Sequence, residues 1–345
     1  MVRPTFERHP ANPIIRPGGP SWRRCVTFNP GVLYDEGRFW LYERTAGGLR
    51  PFVCHIGLQV SDDGVHFEPV GSEPVWSPGM IGSPLGSVQD PRVVKLDGRY
   101  LMTYAWRPFA WNSHPTGVGV PESFEPQCEG FSGRSEDNQT RSGIAESDDR
   151  VTWRHLSWPT PPELDDRDVI LFPERIDGRY WLLRRPQQML GVAWRSRQPS
   201  IWLASSPDLV EWSEPELLAE PRYAWEGGKI GGSTPPIRTD AGWLILHHGV
   251  VETDAGQRAV TYRAGAMLLD RDDPRRILAR TPEPLLEPEA YYETTGLYIP
   301  NVVFPTGAVV VDGRLMVYYG VCDTAIALAS MPLDRLLDYL LSCPA

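Results

Sequence analysis

The sequence predicts an all-β fold, a five-bladed β-propeller that ends in a short C-terminal helix. Two observations predict it: a hairpin pattern that recurs five times, and a shorter pattern that lies between the hairpins. In each hairpin pattern a strand-like run is followed by a turn and by a second run rich in aromatic and aliphatic residues. Radial repetition of four-stranded units, here of about 50–70 residues, is typical of a propeller, and five copies indicate five blades.

The hairpin segments give the blades in chain order. They are FNPGVLYDEGRFWLYER (28–44), QDPRVVKLDGRYLMTYA (89–105), LFPERIDGRYWLLRR (171–185), TPPIRTDAGWLILHH (234–248) and FPTGAVVVDGRLMVYYG (304–320). The turn glycines are Gly37, Gly98, Gly178, Gly242 and Gly313. An acidic residue followed by glycine between two β-rich runs is a strong hairpin signal.

The second pattern reads SDDGVHFEP (61–69), SDDRVTWRHL (147–156) and SSPDLVEWSEP (205–215), and it predicts the outer turn of each blade. The segment PLDRLLDYLL (332–341) predicts the amphipathic C-terminal helix. The alternative is an all-β sandwich, but the fixed offsets of proline, glycine and aromatic residues favour the propeller. Because no linker is visible, residues 1–345 are predicted to form a single domain, with an insertion at about 107–146 that is functional or disordered.

Composition excludes several classes of function. The 345 residues carry a net charge of −10, which argues against nucleic acid or an anionic membrane as partner. Neither a signal peptide nor an apolar run of the ~18 residues needed by a membrane helix is present. The five scattered cysteines fit reduced thiols and a cytoplasmic location, and the absence of CxxC and HExxH motifs predicts no metal site. The flat faces of a propeller are compatible with a homo-oligomer.

The repeat predicts which side chains converge on the central funnel, because the innermost strands of a propeller line it. The positions before the repeat prolines are Asn29, Asp90, Phe172, Pro235 and Phe304. The ends of the second strands are Arg44, Ala105, Arg185, His248 and Gly320, and Asp323 follows three residues later.

Asp90 is the candidate catalytic acid. It precedes an apolar strand in GSVQDPRVV, at a position that the repeat assigns to the funnel. The alternative is an aspartate that caps a turn before proline, which is a common role.

A group of cations is the second candidate. Arg167, Arg185, Lys229 and His248 fall near the predicted funnel, and Lys229 is one of only two lysines in the chain. Such a set suits a phosphate dianion, and separate surface salt bridges are the alternative. The glycine-rich segment 227–232 lacks the GxxxxGK[ST] pattern, so nucleotide binding is not predicted.

Aromatic residues near these motifs suit the apolar faces of sugars, and two or three of them are expected to touch a ligand. The candidates are Trp106, Trp111, Trp194, Trp225, Tyr291, Tyr292 and Tyr298.

At these residues the chain resembles glycoside hydrolase family 130, the β-mannoside phosphorylases and their hydrolase relatives. The resemblance runs from NPII (12–15) to YYGVCDTA (318–325) through motifs such as QDPRVV, DVILFPERIDGRYWLLRRP and WEGGKIGGSTPPI. It implies a five-bladed propeller in which Asp90 is the single acid and passes its proton through the 3-hydroxyl of the mannose. Inorganic phosphate, as co-substrate with no other cofactor, would then attack from the opposite face to give α-mannose 1-phosphate.

The resemblance also implies roles for individual residues. Asn29, Arg44 and Asp323 would hold the mannose, and the four cations would hold phosphate. Because hydrolases of the family have lost most of these cations, phosphorolysis is favoured. Three departures, Gln89, Arg184 and the insertion, bear on which acceptor and linkage are used.

Two other functions remain open. An inverting β-mannosidase would need a base to activate water, for which Glu226 and Glu293 are the candidates. A noncatalytic carbohydrate-binding propeller would need no acid at all.

Overall fold

The five predicted hairpins are present in the computed structural model, which describes residues 2–49, 51–110, 139–254 and 259–345. In four of them the two-residue turn is an acidic residue at φ 49–53° followed by a glycine at φ 71–78°, as at Glu36-Gly37 and Asp97-Gly98. Positive φ at both positions matches the right-handed twist of the strands, which explains the acidic-Gly pattern. Trp111 and most of the predicted insertion lie outside the described residues.

The described elements are β-strands, two α-helices and three short 3₁₀ helices, the last at Ser21–Arg23, Pro78–Ile81 and Ala224–Glu226. In chain order the strands are β1 (Glu7–Arg8), β2 (Val26–Asp35), β3 (Arg38–Ala46), β4 (Cys54–Ser61), β5 (Glu68–Pro69), β6 (Ser87–Leu96), β7 (Arg99–Arg107), β8 (Arg141–Ser147), β9 (Arg154–Ser157), β10 (Asp166–Leu171), β11 (Tyr180–Pro186), β12 (Ile201–Ser206), β13 (Glu216–Ala219), β14 (Lys229–Gly232), β15 (Ile237–Thr239), β16 (Gly242–Asp254), β17 (Ala259–Leu269), β18 (Ile277–Arg280), β19 (Val303–Val311), β20 (Arg314–Val321) and β21 (Ala325–Pro332). The α-helices are α1 (Tyr291–Thr294) and α2 (Leu333–Leu341).

These strands form five antiparallel sheets, one for each blade, so the predicted five-bladed propeller is confirmed. Blades 1 to 3 are β2–β5, β6–β9 and β10–β13. In blade 4 the innermost position is shared by β14 and β15, which both pair with β16 because Pro235 and Pro236 interrupt the ladder. Blade 5 consists of β19, β20 and β21 with β1 as its outer strand, so the first strand of the chain closes the ring.

The second sequence pattern forms the turn between the third and fourth strands of blades 1 to 3, as predicted. Asp63 Oδ1 accepts hydrogen bonds from the backbone N–H groups of Val65 and His66. Asp149 and Asp208 make the equivalent pairs of bonds in the next two blades. These local bonds make the short outer turns largely independent of contacts elsewhere.

The core is divided among the five junctions between neighbouring blades. Each junction holds its own cluster of buried apolar side chains, such as the one that joins Leu183 and Ile170 of blade 3 to Trp243 and Met267 of blade 4. Helix α2 covers the junction of blades 4 and 5 with Leu336 and its neighbours, which confirms the predicted C-terminal helix. None of the helices in the described part of the chain is long and apolar enough to cross a membrane.

Candidate active site

Three β-bulges build the floor of the funnel. The first strands of blades 1, 2 and 3 each slip register once in their pairing with the second strand, at Phe28/Gly31, Gln89/Arg92 and Arg167/Ile170. The bulged residues Asn29, Asp90 and Asp168 have φ of 44°, 50° and 50°. A bulge turns one side chain out of the alternation of the strand. The same local distortion therefore brings one polar side chain from each of three blades to the funnel.

The repeat alignment was wrong for blades 3 and 4. Phe172 was predicted to be the counterpart of Asp90, but it lies just after β10 and packs in the core between blades 3 and 4. Asp168 occupies the equivalent place, because the bulge of blade 3 forms without a following proline. Pro235 lies between β14 and β15 and has no bulge.

The predicted ends of the second strands do lie at equivalent positions. Cα partners across the first two strands are Phe28 and Arg44, Gln89 and Ala105, Arg167 and Arg185, Gly231 and His248, and Phe304 and Gly320. The ladder therefore sets Arg44, Arg185 and His248 at one depth around the axis.

A single pocket at the axis collects most of the predicted site residues. Its described lining is Asn29, Arg44, Gln89, Asp90, Ala105, Thr140, Arg167, Asp168, Arg185, His248, Tyr262, Ile299, Val302, Phe304 and Asp323. Lys229 is half-buried beside this lining, with Nζ 5.7 Å from the centre of the Tyr262 ring. The predicted residues are thus brought together, and their roles toward mannose and phosphate stay predictions.

Asp90 is held by donors from blade 1. Asn29 Nδ2 donates to Asp90 Oδ1 at 2.8 Å, and Arg44 Nη1 donates to the same oxygen at 2.9 Å. The buried guanidinium of Arg44 lies 4.4 Å from the centre of the Phe28 ring, which fixes its orientation. Because both bonds end on Oδ1, the position of the carboxyl group is set while Oδ2 receives no hydrogen bond from a described residue.

Asp323 lies on the same side of the pocket. Burial raises the pKa of Asp323 to about 7, and the nearby charge of Asp90 adds to this effect while Arg44 opposes it. At neutral pH Asp323 is therefore balanced between its neutral and charged forms.

The opposite wall, formed by blades 3 and 4, carries the cations. Arg167 binds both carboxylate oxygens of Asp165, at 2.7 and 3.0 Å. Arg185 Nε donates to Asp168 Oδ2 at 2.5 Å. These ion pairs are internal to the pocket wall and nearly buried, so the alternative of separate surface salt bridges does not describe them.

Two of the predicted cations have altered charge states. Burial and the charges of Arg185 and Arg167 lower the pKa of Lys229 to about 7. Burial, together with the charges of Arg185 and Lys229, lowers the pKa of His248 to about 3 despite the nearby Asp168. With this pKa His248 is neutral at neutral pH and can donate an N–H group, and its role toward phosphate stays a prediction.

Arg92 is a site residue that the sequence analysis missed, although it belongs to the DPR motif. Its side chain is buried beneath the pocket, where Nη1 donates to the backbone oxygen of Asp90 at 2.8 Å and Nε donates to that of Ser233 at 3.0 Å. Its Nη2 lies 3.7 Å from Asp168 Oδ1. One side chain thus links the acid on blade 2 with blades 3 and 4.

The aromatic candidates differ from the aromatic residues of the pocket. The described aromatic residues that line the pocket are Tyr262 and Phe304, and the six candidates within the described residues are not among them. Trp225 packs on His247 instead, and Tyr291 is largely exposed. Tyr262 was missed because it lies on the third strand of its blade. The repeat predicted pocket residues only from the first two strands of each blade.

Arg184 and the two candidate bases face away from this chemistry. Arg184 donates to the buried Asp166 at 2.7 Å. Glu226 is fully buried and accepts hydrogen bonds from His247 and Arg280, both at 2.8 Å. Glu293 is likewise buried and is bound by Arg8 and Tyr319. Among the residues with described coordinates, no cluster of His, Cys, Asp or Glu is arranged to hold a metal ion.

The fold and the site define a five-bladed propeller with an acidic and a cationic wall around one axial pocket. The family model described as β-1,4-mannooligosaccharide phosphorylase matches residues 5–114 and 131–342. This chain belongs to glycoside hydrolase family 130, which confirms the resemblance seen in its motifs.

Named relatives agree with this assignment. A 1,2-β-oligomannan phosphorylase of Thermoanaerobacter sp. (strain X514) is 34% identical over 325 residues, covering 92% of this chain and 94% of the relative. A β-1,4-mannooligosaccharide phosphorylase of Ruminococcus albus is 29% identical over 353 residues, covering 97% of this chain and 90% of the relative. The solved structure of β-1,2-mannobiose phosphorylase from Listeria innocua, in complex with β-1,2-mannobiose, superposes with a TM-score of 0.75 at 25% identity, covering 97% of this chain and 99% of that one.

Proposed function

We propose that this protein is an inverting β-mannoside phosphorylase that uses inorganic phosphate to release α-mannose 1-phosphate from the end of a β-linked mannoside. The observation that carries the proposal is the division of the pocket: a carboxyl group held by Asn29 and Arg44 faces a wall that contains Arg167, Arg185 and Lys229. The named relatives are phosphorylases of β-1,2- and β-1,4-linked mannosides, which supports the same reaction.

In the proposed reaction Asp90 supplies the proton for the departing sugar. Asn29 and Arg44 fix its carboxyl group through Oδ1, and Oδ2 is then the oxygen available to hold the proton. By resemblance to the family the proton passes through the 3-hydroxyl of the mannose, which Arg44 and Asp323 would help to hold.

Phosphate would bind on the cationic wall. Arg167 and Arg185 would supply charge-assisted hydrogen bonds, Lys229 a third charge in its protonated form, and His248 an N–H group. Phosphate is already a nucleophile, so the wall needs only to position it behind the anomeric carbon and to stabilise the charge. Attack from the face opposite the leaving group gives inversion.

A β-mannosidase is a weaker candidate, because neither of the bases suggested for it is free to activate water. Although burial favours the neutral acid, the hydrogen bond from His247 and the charge of Arg280 lower the pKa of Glu226 to about 2. Glu293 accepts hydrogen bonds from Arg8, from Tyr319 and from the backbone N–H groups of Glu289 and Ala290. Neither residue lines the described pocket.

The decisive experiment is turnover of β-1,2- and β-1,4-mannobiose with and without inorganic phosphate. We expect mannose 1-phosphate, with the α configuration by NMR, to form only when phosphate is present. The reverse reaction, from α-mannose 1-phosphate and a panel of acceptor sugars, should then identify the linkage and the acceptor. Release of free mannose at the same rate in phosphate-free buffer would contradict the proposal and favour a hydrolase.

The free cysteines bear on the cellular compartment of the protein. Cys25, Cys54, Cys322 and Cys343 are all unpaired, and two of them are buried. Thiols of this kind persist in a reducing compartment, which supports a cytoplasmic enzyme. Trapping the thiols in intact cells with an alkylating reagent tests whether they are reduced there.

A further inference from the structure

We infer that Asp168 is a positioning residue of the phosphate subsite: it holds Arg185 and His248 in the arrangement that receives the anion. The inference rests on the proposed function, since it concerns the phosphate side of that reaction. It gives a role to a carboxylate that lines the pocket and would, by charge alone, repel phosphate.

The contacts of Asp168 are the first argument. Its side chain is 4% exposed, and its Oδ2 accepts the hydrogen bond from Arg185 Nε at 2.5 Å and lies 3.6 Å from His248 Nε2. Its Oδ1 lies 3.7 Å from Arg92 Nη2. Two predicted phosphate ligands and the arginine beneath the pocket therefore share one carboxylate.

The orphaned donors around Asp168 are the second argument. Arg185 Nη1, His248 Nε2 and Arg92 Nη2 are buried, and none has a hydrogen-bond partner within the described ranges. Unsatisfied buried donors are costly, and positive charges so close together repel one another. The negative charge of Asp168 offsets this cost. Because Asp168 binds Nε of Arg185, the Nη1 donor of that arginine stays available to an incoming oxyanion.

The backbone supplies the third argument. Asp168 is placed by a bulge at φ 50°, and it points at Gly231 on the neighbouring blade. A Cβ atom at position 231 would lie 2.3 Å from Asp168 Oδ2, 2.5 Å from His248 Cε1 and 2.8 Å from Arg185 Nε. The three side chains thus meet in the space that the glycine leaves open, and only glycine at position 231 permits that meeting.

Two variants disturb this arrangement in different ways. Asp168→Ala removes the carboxylate, whereas Gly231→Ala keeps every charge and displaces the carboxylate and its partners. Gly232→Ala is the matched control, because a Cβ there would meet Ile170 and Leu183 of the apolar core at 3.0 and 3.1 Å and touches none of the three.

The test compares the KM for inorganic phosphate with the KM for the mannoside, together with phosphate affinity by calorimetry. We expect both variants to weaken phosphate binding by about 10- to 100-fold, the value of charge-assisted hydrogen bonds lost from one anion site. The mannoside KM should change less than about twofold, and Gly232→Ala should leave both constants as in the wild type.

The direction of the change in phosphate affinity decides whether Asp168 is a positioning residue. Removal of a negative charge alone would tighten phosphate binding, so tighter or unchanged binding to folded Asp168→Ala would overturn the positioning role. A lower melting temperature and kcat with both KM values unchanged would mean a purely structural role and would also overturn it. Turnover by the wild type without phosphate would instead refute the proposed function, which keeps the two failures distinct.

Discussion

Asp90 and Asp168 occupy the same place in two successive blades, yet their surroundings differ. Both are bulge residues at φ 50°, and both line the axial pocket. The side chain of Asp90 is 18% exposed and accepts hydrogen bonds from Asn29 and Arg44, whereas that of Asp168 is 4% exposed and pairs with Arg185. The same backbone distortion therefore delivers two carboxylates, and the side chains around each decide whether it can meet a substrate or only other side chains.

The difference follows from which cations lie within reach. Among the described residues, the carboxylate of Asp90 is bound by one guanidinium, that of Arg44. The carboxylate of Asp168 is bound by Arg185, and Arg92 and His248 lie close to it. The charges around Asp168 hold its pKa far below its usual range although burial works in the opposite direction. Asp168 is thus a permanent anion, which suits a positioning residue and not a proton donor.

The largest expected effect tests Asp90 directly. Asp90→Asn removes the proton donor but keeps a polar side chain that tolerates positive φ, so kcat for phosphorolysis should fall by roughly 10²–10⁴-fold with little change in the phosphate KM. Steady-state kinetics with purified protein measures both. Asp177→Asn, an exposed turn residue also at φ 50°, is the control and should have wild-type kinetics. Equal losses in the two variants would mean that backbone strain, and not the acid, limits the rate.

The next effect tests the cationic wall. Lys229→Met should raise the phosphate KM by about 10- to 100-fold, because one charge-assisted contact to the anion is lost. Lys95→Met is the matched control, since Lys95 is the only other lysine and pairs with Asp35 on the surface, 2.8 Å away. If Lys229→Met changed the mannoside KM instead, the division of the pocket into two walls would be wrong.

The pH dependence of the phosphate KM tests the same role of Lys229. With a pKa of about 7, Lys229 is charged below neutral pH and loses its charge as the pH rises through 7. The phosphate KM of the wild type should therefore rise between about pH 6 and pH 8 relative to that of Lys229→Met. The ionisation of phosphate itself affects both proteins equally, so the ratio of their phosphate KM values reports the charge of Lys229 alone. A ratio that does not vary with pH would contradict the assignment.

The smallest effect concerns stability. The pKa of Asp323 in the folded protein is about 7, above the ordinary value of 3.8, so its contribution to stability is present at low pH and is lost as the pH rises through 7. Asp323→Asn should therefore raise the melting temperature at pH 8 by a few degrees and have less effect at pH 5. Thermal unfolding followed by circular dichroism measures this. Asp312→Asn, at an exposed turn residue with φ 49°, is the control for the same substitution at a similar backbone conformation.

The sequence predicted those features that local chemistry determines. Acidic-Gly turns need positive φ at both positions, and the prolines after Asn29 and Asp90 mark their bulges in the printed sequence. The bulge at Asp168 has no such mark, because Asp168 is followed by Val169 and only the pairing with β11 shows the slip. A repeat aligned on prolines therefore placed Phe172 where Asp168 belongs.

Other site features depend on contacts between blades. Arg92 makes its second backbone bond to Ser233, which is 141 residues away in the chain. Tyr262 reaches the pocket from β17, opposite Val250, which pairs in turn with Lys229 at the start of β14. The charge state of His248 depends on burial and on Arg185 and Lys229 together. No single segment contains this information, so residue types could suggest the cationic wall but not its protonation.

The closure of the ring by β1 has a consequence for how the chain folds. Arg8 of β1 holds Glu293 through two hydrogen bonds, and Asn12 donates to the backbone oxygen of Leu328, 316 residues away. Contacts of such sequence separation form slowly, because most of the chain must be ordered first. During synthesis on the ribosome the first four blades can assemble while the place of β1 in blade 5 does not yet exist. We therefore expect the pocket to be completed late in folding, when β1 joins β21 in the sheet of blade 5.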